Sequence, residues 1–377
     1  MHQCKYMQIR ISSFLLILFS FSLSLSLNGQ TKFVNEFLNI GVGARAHGMF
    51  GSVVASSEDV TSAYWNPAGL TGIKAPMQFS AMHASWFGGI ANYDYGGLAK
   101  RLNDGKSFMS VTVIRMGIDN IPNTLNLIGP DGSVDYNRVT EFSASDFAFL
   151  GSYARNFGSN DKLSVGASIK IIRRSLGDFG SAWGFGGDLG LKYKMTSSLT
   201  LAAVARDVTT TFNAWSFNLS DSDKDVFALT GNEVPVSSTE IALPRLILGL
   251  AHQTSFGKFS LISELDVNVN SDGRASALIS SDKFAVDPSL GFELGYNKLV
   301  YLRAGFGNIQ RALNSANATS ESLEIQPNLG LGVVLGRMKV DYALTNIGSV
   351  SGVLVSNIFS LTLDFAPKKR KEPETVE

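Results

Sequence analysis

Phe259-Ser260-Leu261-Ile262-Ser263-Glu264-Leu265-Asp266-Val267-Asn268-Val269-Asn270 alternates along its length. Phe259, Leu261, Leu265, Val267 and Val269 fall on one face, and Ser260, Glu264, Asp266, Asn268 and Asn270 on the other. A period of two marks a β-strand whose faces meet unlike surroundings. The pattern recurs downstream. Leu290, Phe292, Leu294 and Tyr296 oppose Gly291, Glu293, Gly295 and Asn297, and Leu329, Leu331, Val333 and Leu335 oppose Asn328, Gly330 and Gly332. Val340, Tyr342 and Leu344 oppose Asp341, Ala343 and Thr345, and Phe359, Leu361, Leu363 and Phe365 oppose Ser360, Thr362 and Asp364.

Composition says what the two faces meet. The 377 residues are 45% hydrophobic with 37 Gly, yet only 17% charged, against about a quarter in an average soluble protein. Past residue 30 no apolar run approaches the ~20 residues of a membrane-spanning helix. Apolar side chains are instead interleaved with Ser, Thr, Asn and Gly, as in transmembrane strands that face lipid and lumen in turn. Net charge is zero, so nothing points to nucleic acid.

The predicted strands are 77–87, 91–102, 106–118, 143–157, 162–174, 181–194, 198–209, 241–254, 258–270, 287–297, 299–310, 323–335, 337–348 and 357–365. Each can cross a bilayer, which takes about 9–11 tilted residues. Asn103-Asp104-Gly105, Gly158-Ser159-Asn160-Asp161, Met195-Thr196-Ser197, Ser255-Phe256-Gly257 and Gly336 read as tight turns. Longer links at 119–142, 175–180, 210–240, 271–286, 310–322 and 349–356 fall between them. Short turns at one end and long loops at the other are the habit of outer-membrane barrels, and a soluble sandwich has no reason for it. The fold class read from the chain is therefore all-β: a transmembrane antiparallel β-barrel of about fourteen strands over 76–365, in the outer membrane and in contact with its lipid. Closure also removes the strand edges that lipid would not tolerate.

The ends frame the barrel. Lys5 and Arg10 precede an apolar stretch from Ile11 to Leu27, the form of a secretory signal peptide over 1–29. An uncleaved anchor helix is the competing reading, weakened by the serines in Phe21-Ser22-Leu23-Ser24-Leu25-Ser26-Leu27. The single cysteine, Cys4, lies inside the signal, so the mature chain has no thiol chemistry. After Phe365 a charged stretch, 366–377, reads as a solvated periplasmic tail.

Between signal and barrel, 30–75 has a different character. Gly41, Gly43, Ala44, Arg45 and Gly48 make its first half compact. In the second, Ser56 or Ser57 suits an N-cap, and Glu58 and Asp59 suit the first turn of a short helix. Asn66-Pro67 ends it, because proline disfavours helical backbone in the residue before it; Gly69 then permits a sharp turn. A helix of two turns is unstable alone, so this segment is predicted to fold inside the barrel as a plug.

No motif carries chemistry. Gly41-x-Gly43-x-x-Ala46 fits a loose dinucleotide fingerprint but lacks the strand–helix context it requires. His47, His83 and His252 share no metal-ligand spacing, and no Gly-x-Ser-x-Gly elbow exists. The reading is no enzyme, no cofactor and no metal. Glu264, Asp266, Glu293, Asp341 and Asp364 are predicted to face the lumen, with Lys170 and Arg303 as partners. Two roles stand: pairing across strands and plug, or lining a polar path.

The stretch Gly41-Val42-Gly43-Ala44-Arg45-Ala46-x-Gly48-Met49, then Glu58-Asp59-Val60, then Tyr64-Trp65-Asn66-Pro67-Ala68-Gly69-Leu70 resembles the opening of the PorV/PorQ family. That family sits with the FadL-type outer-membrane barrels, whose N-terminal hatch carries a comparable Asn-Pro-Ala segment. The match covers about thirty residues; His47, Phe50 and the tail after Phe365 depart from the pattern. The resemblance implies fourteen strands and one of two roles. PorV-like proteins are accessories of type IX secretion that bind the translocon or the C-terminal domains of cargo. FadL-like proteins admit a hydrophobic ligand through a plugged lumen. The first is the main expectation here and the second its alternative. Links 119–142 and 210–240, with Phe212, Trp215 and Phe217, are expected to hold a partner or a greasy ligand, or else to be plain solvated loops.

Deleting 40–70 is expected to leave an assembled but leaky barrel. Single-channel recording in planar bilayers checks this; unchanged conductance would place the segment outside the lumen.

Overall fold

The structure is a computed structural model that describes residues 34–129, 132–158, 160–271, 279–281, 284–314, 317–345, 347 and 355–365, with backbone alone for 311–314 and 317–322. The expected signal peptide and tail lie outside these residues.

The alternating runs form β1 (Met77–Trp86), β2 (Ala91–Arg101), β3 (Ser107–Asn123), β4 (Thr140–Phe157), β5 (Leu163–Leu176) and β6 (Gly180–Lys194). β7 joins Leu199–Arg206 to Thr211–Phe217, and β8 joins Thr239–Ala242 to Arg245–Phe256. β9 (Phe259–Asn270), β10 (Ala285–Tyr296), β11 (Val300–Asn314), β12 (Asn317–Leu335), β13 (Met338–Thr345) and β14 (Ser356–Phe365) complete the wall. Both pieces of β7 pair with β6 and both pieces of β8 with β7, so each is one interrupted strand. Neighbours are antiparallel throughout, and β1 closes on β14 from Met77↔Phe365 to Ser85↔Asn357. The result is a closed barrel of fourteen strands, in which every wall strand has two hydrogen-bonded neighbours.

The outward positions carry the apolar half of each alternation. Leu246, Leu248, Leu250, Leu329, Leu331 and Val333 are all exposed on the outer face. Phe157, Tyr193, Phe256, Phe259, Tyr296 and Phe365 ring it near the short-turn end. An apolar band with an aromatic girdle is what a barrel presents to lipid and its interface.

The hydrophobic core lies inside the barrel and is built jointly by wall and N-terminal segment. Phe37, Leu38, Val42 and Tyr64 pack with Tyr93, Ile114, Leu150 and Ile172. Val60, Leu70 and Ile73 pack with Phe108, and Val54 and Ala55 with Val204 and Ile247. Each fully buried side chain of this size is worth about 1.5–3 kcal/mol, which holds together a segment with almost no regular structure of its own. Inward glycines let its backbone reach the wall. A Cβ on Gly305 would lie 2.2 Å from the Met49 carbonyl carbon, and one on Gly166 2.4 Å from the Ala68 nitrogen.

Three sequence expectations change. The helix expected from Ser57 is a single turn, α2 (Ser62–Trp65), preceded by another short helix, α1 (Ala44–Gly48). Ser57 does not cap α2: its amide donates to the Val53 carbonyl and its hydroxyl meets that of Ser62. The amide that a Ser57 cap would accept from, that of Val60, donates instead to Gln78 on β1 at 2.8 Å, so regular helix begins only at Ser62. Asn66 still ends α2 in extended backbone, and its side chain accepts from the Ala68 amide to open a 3-10 turn, Pro67–Gly72. The link expected at 310–322 is strand over its described residues, 310–314 and 317–322, because β11 and β12 go on pairing past a register shift between Gly307 and Gln310. Link 210–240 holds the upper part of β7 and a helix, α3 (Asp221–Leu229), capped by Ser220 and Asp223.

Gly305→Val and Gly166→Val are each expected to dislodge the N-terminal segment from a barrel that still closes, since overpacking costs about 1–3 kcal/mol or more. Outward Gly96, where a Cβ meets only Val113 at 3.5 Å, is the control. Limited proteolysis of residues 34–76 in the heat-modifiable folded species checks this.

Candidate functional site

The segment 34–76 crosses the lumen and is bonded to most of the wall. On β9, Asp266 Oδ2 accepts from the amides of Val53 and Val54 at 3.0 and 3.1 Å. Glu264, two residues away and on the same face, accepts from Ala55 and Ser56 at 2.5 and 3.0 Å. Four successive amides thus meet two acidic side chains, each such bond being worth about 1 kcal/mol or more. Elsewhere the Ala44 amide donates to Ser360 on β14, Arg206 on β7 donates to the Tyr64 carbonyl, and Asn328 on β12 donates to the His47 carbonyl. Ser168 on β5 donates to the Ala63 carbonyl.

Ionised groups are chained together. Arg45 reaches Glu293 at 2.8 Å, and Glu293 is shared with Arg303 at 2.6 Å. Arg303 Nη1 lies 2.8 Å from Asp341 Oδ1, a charge contact out of line for a hydrogen bond. Lys170 sits between Asp188, at 2.8 Å, and Asp207. Lys192 meets Glu58 at 2.9 Å. Burial works against ionising Glu58, and Lys192 outweighs it, so its carboxyl lies below the usual range. Asp364, near the C-terminal end of β14, accepts from Gln78.

The other residues of the N-terminal motif serve its internal geometry. Gly41 and Gly43 take φ of 96° and 85°, open only to glycine at low cost, and Gly48 approaches Gly330 on β12. Trp65 Nε1 donates to the Val42 carbonyl at 2.8 Å, folding the two halves together. Asn66 Nδ2 bridges the carbonyls of Val54 and Leu191, and Pro67 beside it packs against Gly190. Asp59 accepts from the Thr61 amide. A Cβ on Gly69 would lie 2.4 Å from the Ser57 carbonyl.

Two cavities flank the segment. One, about 540 Å³ at the short-turn end, is lined by charged groups including Arg45, Glu58, Lys192, Glu293, Arg337 and Lys339. The other, about 430 Å³ on the loop side, is lined by Ile40, His47, Phe50, Trp65, Trp86 and Ile247 with a set of polar side chains. They have no lining residue in common. Val54 faces the second and Ala55 the first, so at this point the partition is the thickness of one backbone.

Sequence reasoning missed Trp86, Asn268, Asn328 and Thr345 as cavity residues; their inward register positions were the available signal. It also missed Asp188 and Asp207, the partners of Lys170. Trp215 and Phe217 stack at 5.7 Å, and Trp215 Nε1 donates to Glu240; neither they nor Phe212 line either cavity. His83 faces outward beside Asp94, which also meets Arg115 at 3.2 Å.

No protein-family model matches the chain, and no curated protein matches it. Solved structures do. The chain is similar to the CymD monoaromatic hydrocarbon channel at 16% identity, with a TM-score of 0.54 over 87% of this chain and 98% of that one. It is similar to the Pseudomonas putida toluene transporter TodX at 15% identity, with a TM-score of 0.53 over 86% and 98%. A Pseudomonas aeruginosa FadL homologue aligns at 14% identity, with a TM-score of 0.51 over 86% and 98%. These likenesses establish a FadL-type barrel fold.

His47 gives the segment a pH dependence. Burial pushes its imidazole down to about 4, only partly offset by the bond to the Gly41 carbonyl. The unfolded chain takes up this proton near pH 6.5. The folded chain does so only near 4, so the stabilisation is complete above 6.5 and is lost as pH falls towards 4. The difference is worth about 3 kcal/mol. Protection factors of the amides around His47, exchange being taken relative to the intrinsic rate at each pH, are expected to fall across that window, and His47→Gln to flatten the response.

Proposed function

We propose that the protein is an outer-membrane channel that admits hydrophobic small molecules. The observation that carries this reading is the aromatic-walled cavity on the loop side of a segment that closes the lumen. Trp65, Trp86 and Phe50 offer apolar surface for a small ligand, and the backbone at Val54 and Ala55 separates it from the charged cavity beyond. A molecule held at Trp65 and Trp86 passes when the clamp on residues 53–56 loosens. The outer apolar band and girdle support the outer-membrane setting. The aligned hydrocarbon channel and toluene transporter support the same chemistry, through fold alone. On this reading the inward charges, Lys170, Glu264, Asp266, Glu293, Arg303 and Asp341, fasten the plug and wall.

This reverses the order of the two expectations drawn from the sequence. Secretion through a type IX translocon, with cargo C-terminal domains as partners, rests on the thirty-residue motif and gains no support from the cavities or the aligned barrels.

Proteoliposomes carrying the full chain are expected to take up toluene faster than protein-free vesicles. Glu264→Gln combined with Asp266→Asn is expected to change that rate and the conductance together. Uptake equal to protein-free vesicles, with translocon subunits recovered in a pull-down from outer membranes, would reinstate the secretion role.

A further inference from the structure

The cavity at the short-turn end carries more positive charge than its own carboxylates neutralise. Six basic residues line it, Arg45, Lys74, Lys192, Lys298, Arg337 and Lys339, against four acidic ones, Glu58, Asp59, Glu293 and Asp364. All four acids are already engaged. Glu293 holds Arg45 and Arg303, and Glu58 is shared by Lys192 at 2.9 Å and Lys194 at 3.8 Å. Asp364 accepts from Gln78, and Asp59 from the amide and hydroxyl of Thr61. Lys339 lies 3.7 Å from Asp341, which Arg303 also meets. Among the described residues no carboxylate pairs with Lys74, Lys298 or Arg337.

The positions of these three cations decide what reaches them. Lys74 lies shortly before β1, Lys298 in the turn between β10 and β11, and Arg337 in the turn between β12 and β13. All three are exposed. They line a recess between wall and N-terminal segment, with turn residues such as Ser197 and Gly336 on its rim, so it opens to water at the short-turn end. Lipid headgroups beside the barrel lie on the other side of the wall. Lys192 lines the same recess from β6, seven strands from β13 in a closed ring of fourteen and hence on the opposite wall. A compact ion such as phosphate touches one wall only. An extended chain with several carboxylates reaches both. At about 540 Å³ the recess has the size of a ligand site, and unneutralised charge lining a cleft steers oppositely charged partners into it. No Lys or Arg among the described residues lines the loop-side cavity, so the attraction belongs to one end of the barrel.

We propose that the short-turn recess docks an extended acidic segment of a water-soluble protein, whose carboxylates pair with Lys74, Lys298 and Arg337. In the outer-membrane setting read above the short turns face the periplasm, so the partner is a periplasmic one. The proposal rests on that orientation and not on what the channel admits.

Calorimetric titration of the purified full chain in detergent at pH 7 tests it. The probes are an end-blocked octapeptide alternating Glu and Gly, the same peptide with Gln in place of Glu, and inorganic phosphate. The Glu peptide is expected to bind in about 20 mM salt and about tenfold more weakly in about 200 mM, because contacts between exposed charges are screened. The Gln peptide is expected not to bind. Lys74→Gln, Lys298→Gln and Arg337→Gln together, checked for heat-modifiable folding, are expected to weaken the Glu peptide about tenfold, the effect of losing three exposed ion pairs. Lys100→Gln, Lys162→Gln and Lys258→Gln remove the same charge from the same end but outside the recess, and are expected to change affinity less than about twofold. Equal losses in the two triple variants would overturn the assignment to the recess. Phosphate displacing the peptide at equal concentration would overturn the extended segment in favour of a compact ion. A Gln peptide binding as tightly as the Glu peptide would overturn the charge argument. Absence of binding by the Glu peptide would overturn the proposal and leave the channel reading standing, whereas failed toluene uptake with peptide binding intact would sink the channel reading alone.

Discussion

Four consecutive backbone amides, Val53 to Ser56, meet two carboxylates, Asp266 and Glu264, on one face of β9. The rest of the interior depends on this arrangement. A chain that fills a lumen with only single turns of helix and no sheet leaves many of its amides unpaired, and unpaired buried amides are costly. The wall supplies the missing partners. Each carboxylate also needs compensation for its own burial, and the amides provide it. Remove either party and the other is left with an unpaired polar group.

The same economy explains the residue types on the inner face. Where the segment needs a polar partner, the wall offers Ser, Asn, Arg or a carboxylate. Where it needs to come close, the wall offers glycine, as at Gly166, Gly190 and Gly305. The abundance of both Gly and small polar residues in an otherwise apolar sequence is therefore the imprint of a second chain segment pressed against the wall from inside. Charges divide by side of the partition. Basic side chains gather about the short-turn cavity, and the loop-side cavity keeps acceptors and aromatic rings.

Much of this was legible in the chain. Alternation in runs such as Phe259 to Asn270 located the strands, and turn residues such as Gly336 located the short connections, because period and turn chemistry are local properties. The inward placement of Glu264 and Glu293 followed from the same parity. What the sequence hid is set by distant partners. Ser57 looks like a helix cap in isolation, but the Val60 amide it would accept from donates to Gln78 on the wall, and its own hydroxyl meets that of Ser62. Pairing of β11 with β12 extends over 310–314 and 317–322, where local polarity suggests a loop, because each strand pairs with the other. Lys170 is expected from the sequence to pair with the lumen carboxylates such as Glu264 and Glu293; it pairs instead with Asp188 and Asp207, which come near it only when β5, β6 and β7 are laid side by side. Trp86 and Thr345 are unremarkable strand residues until the register turns them towards one cavity.

The closure of β1 on β14 also governs how such a molecule can be made. The segment that fills the lumen precedes the first strand, while the bond from the Ala44 amide to Ser360 spans 316 residues. The occupant of the barrel is thus synthesised before any of its walls, and its last contacts exist only once the final strand arrives. Until then the inner faces of the growing sheet carry apolar residues such as Tyr93, Ile114 and Ile172 with nothing across from them. A segment already tethered to β1 and rich in matching small residues is the nearest cover for them. Contacts this distant in sequence form slowly, and a cover present from the start shortens the time for which a half-built sheet lies open to aggregation.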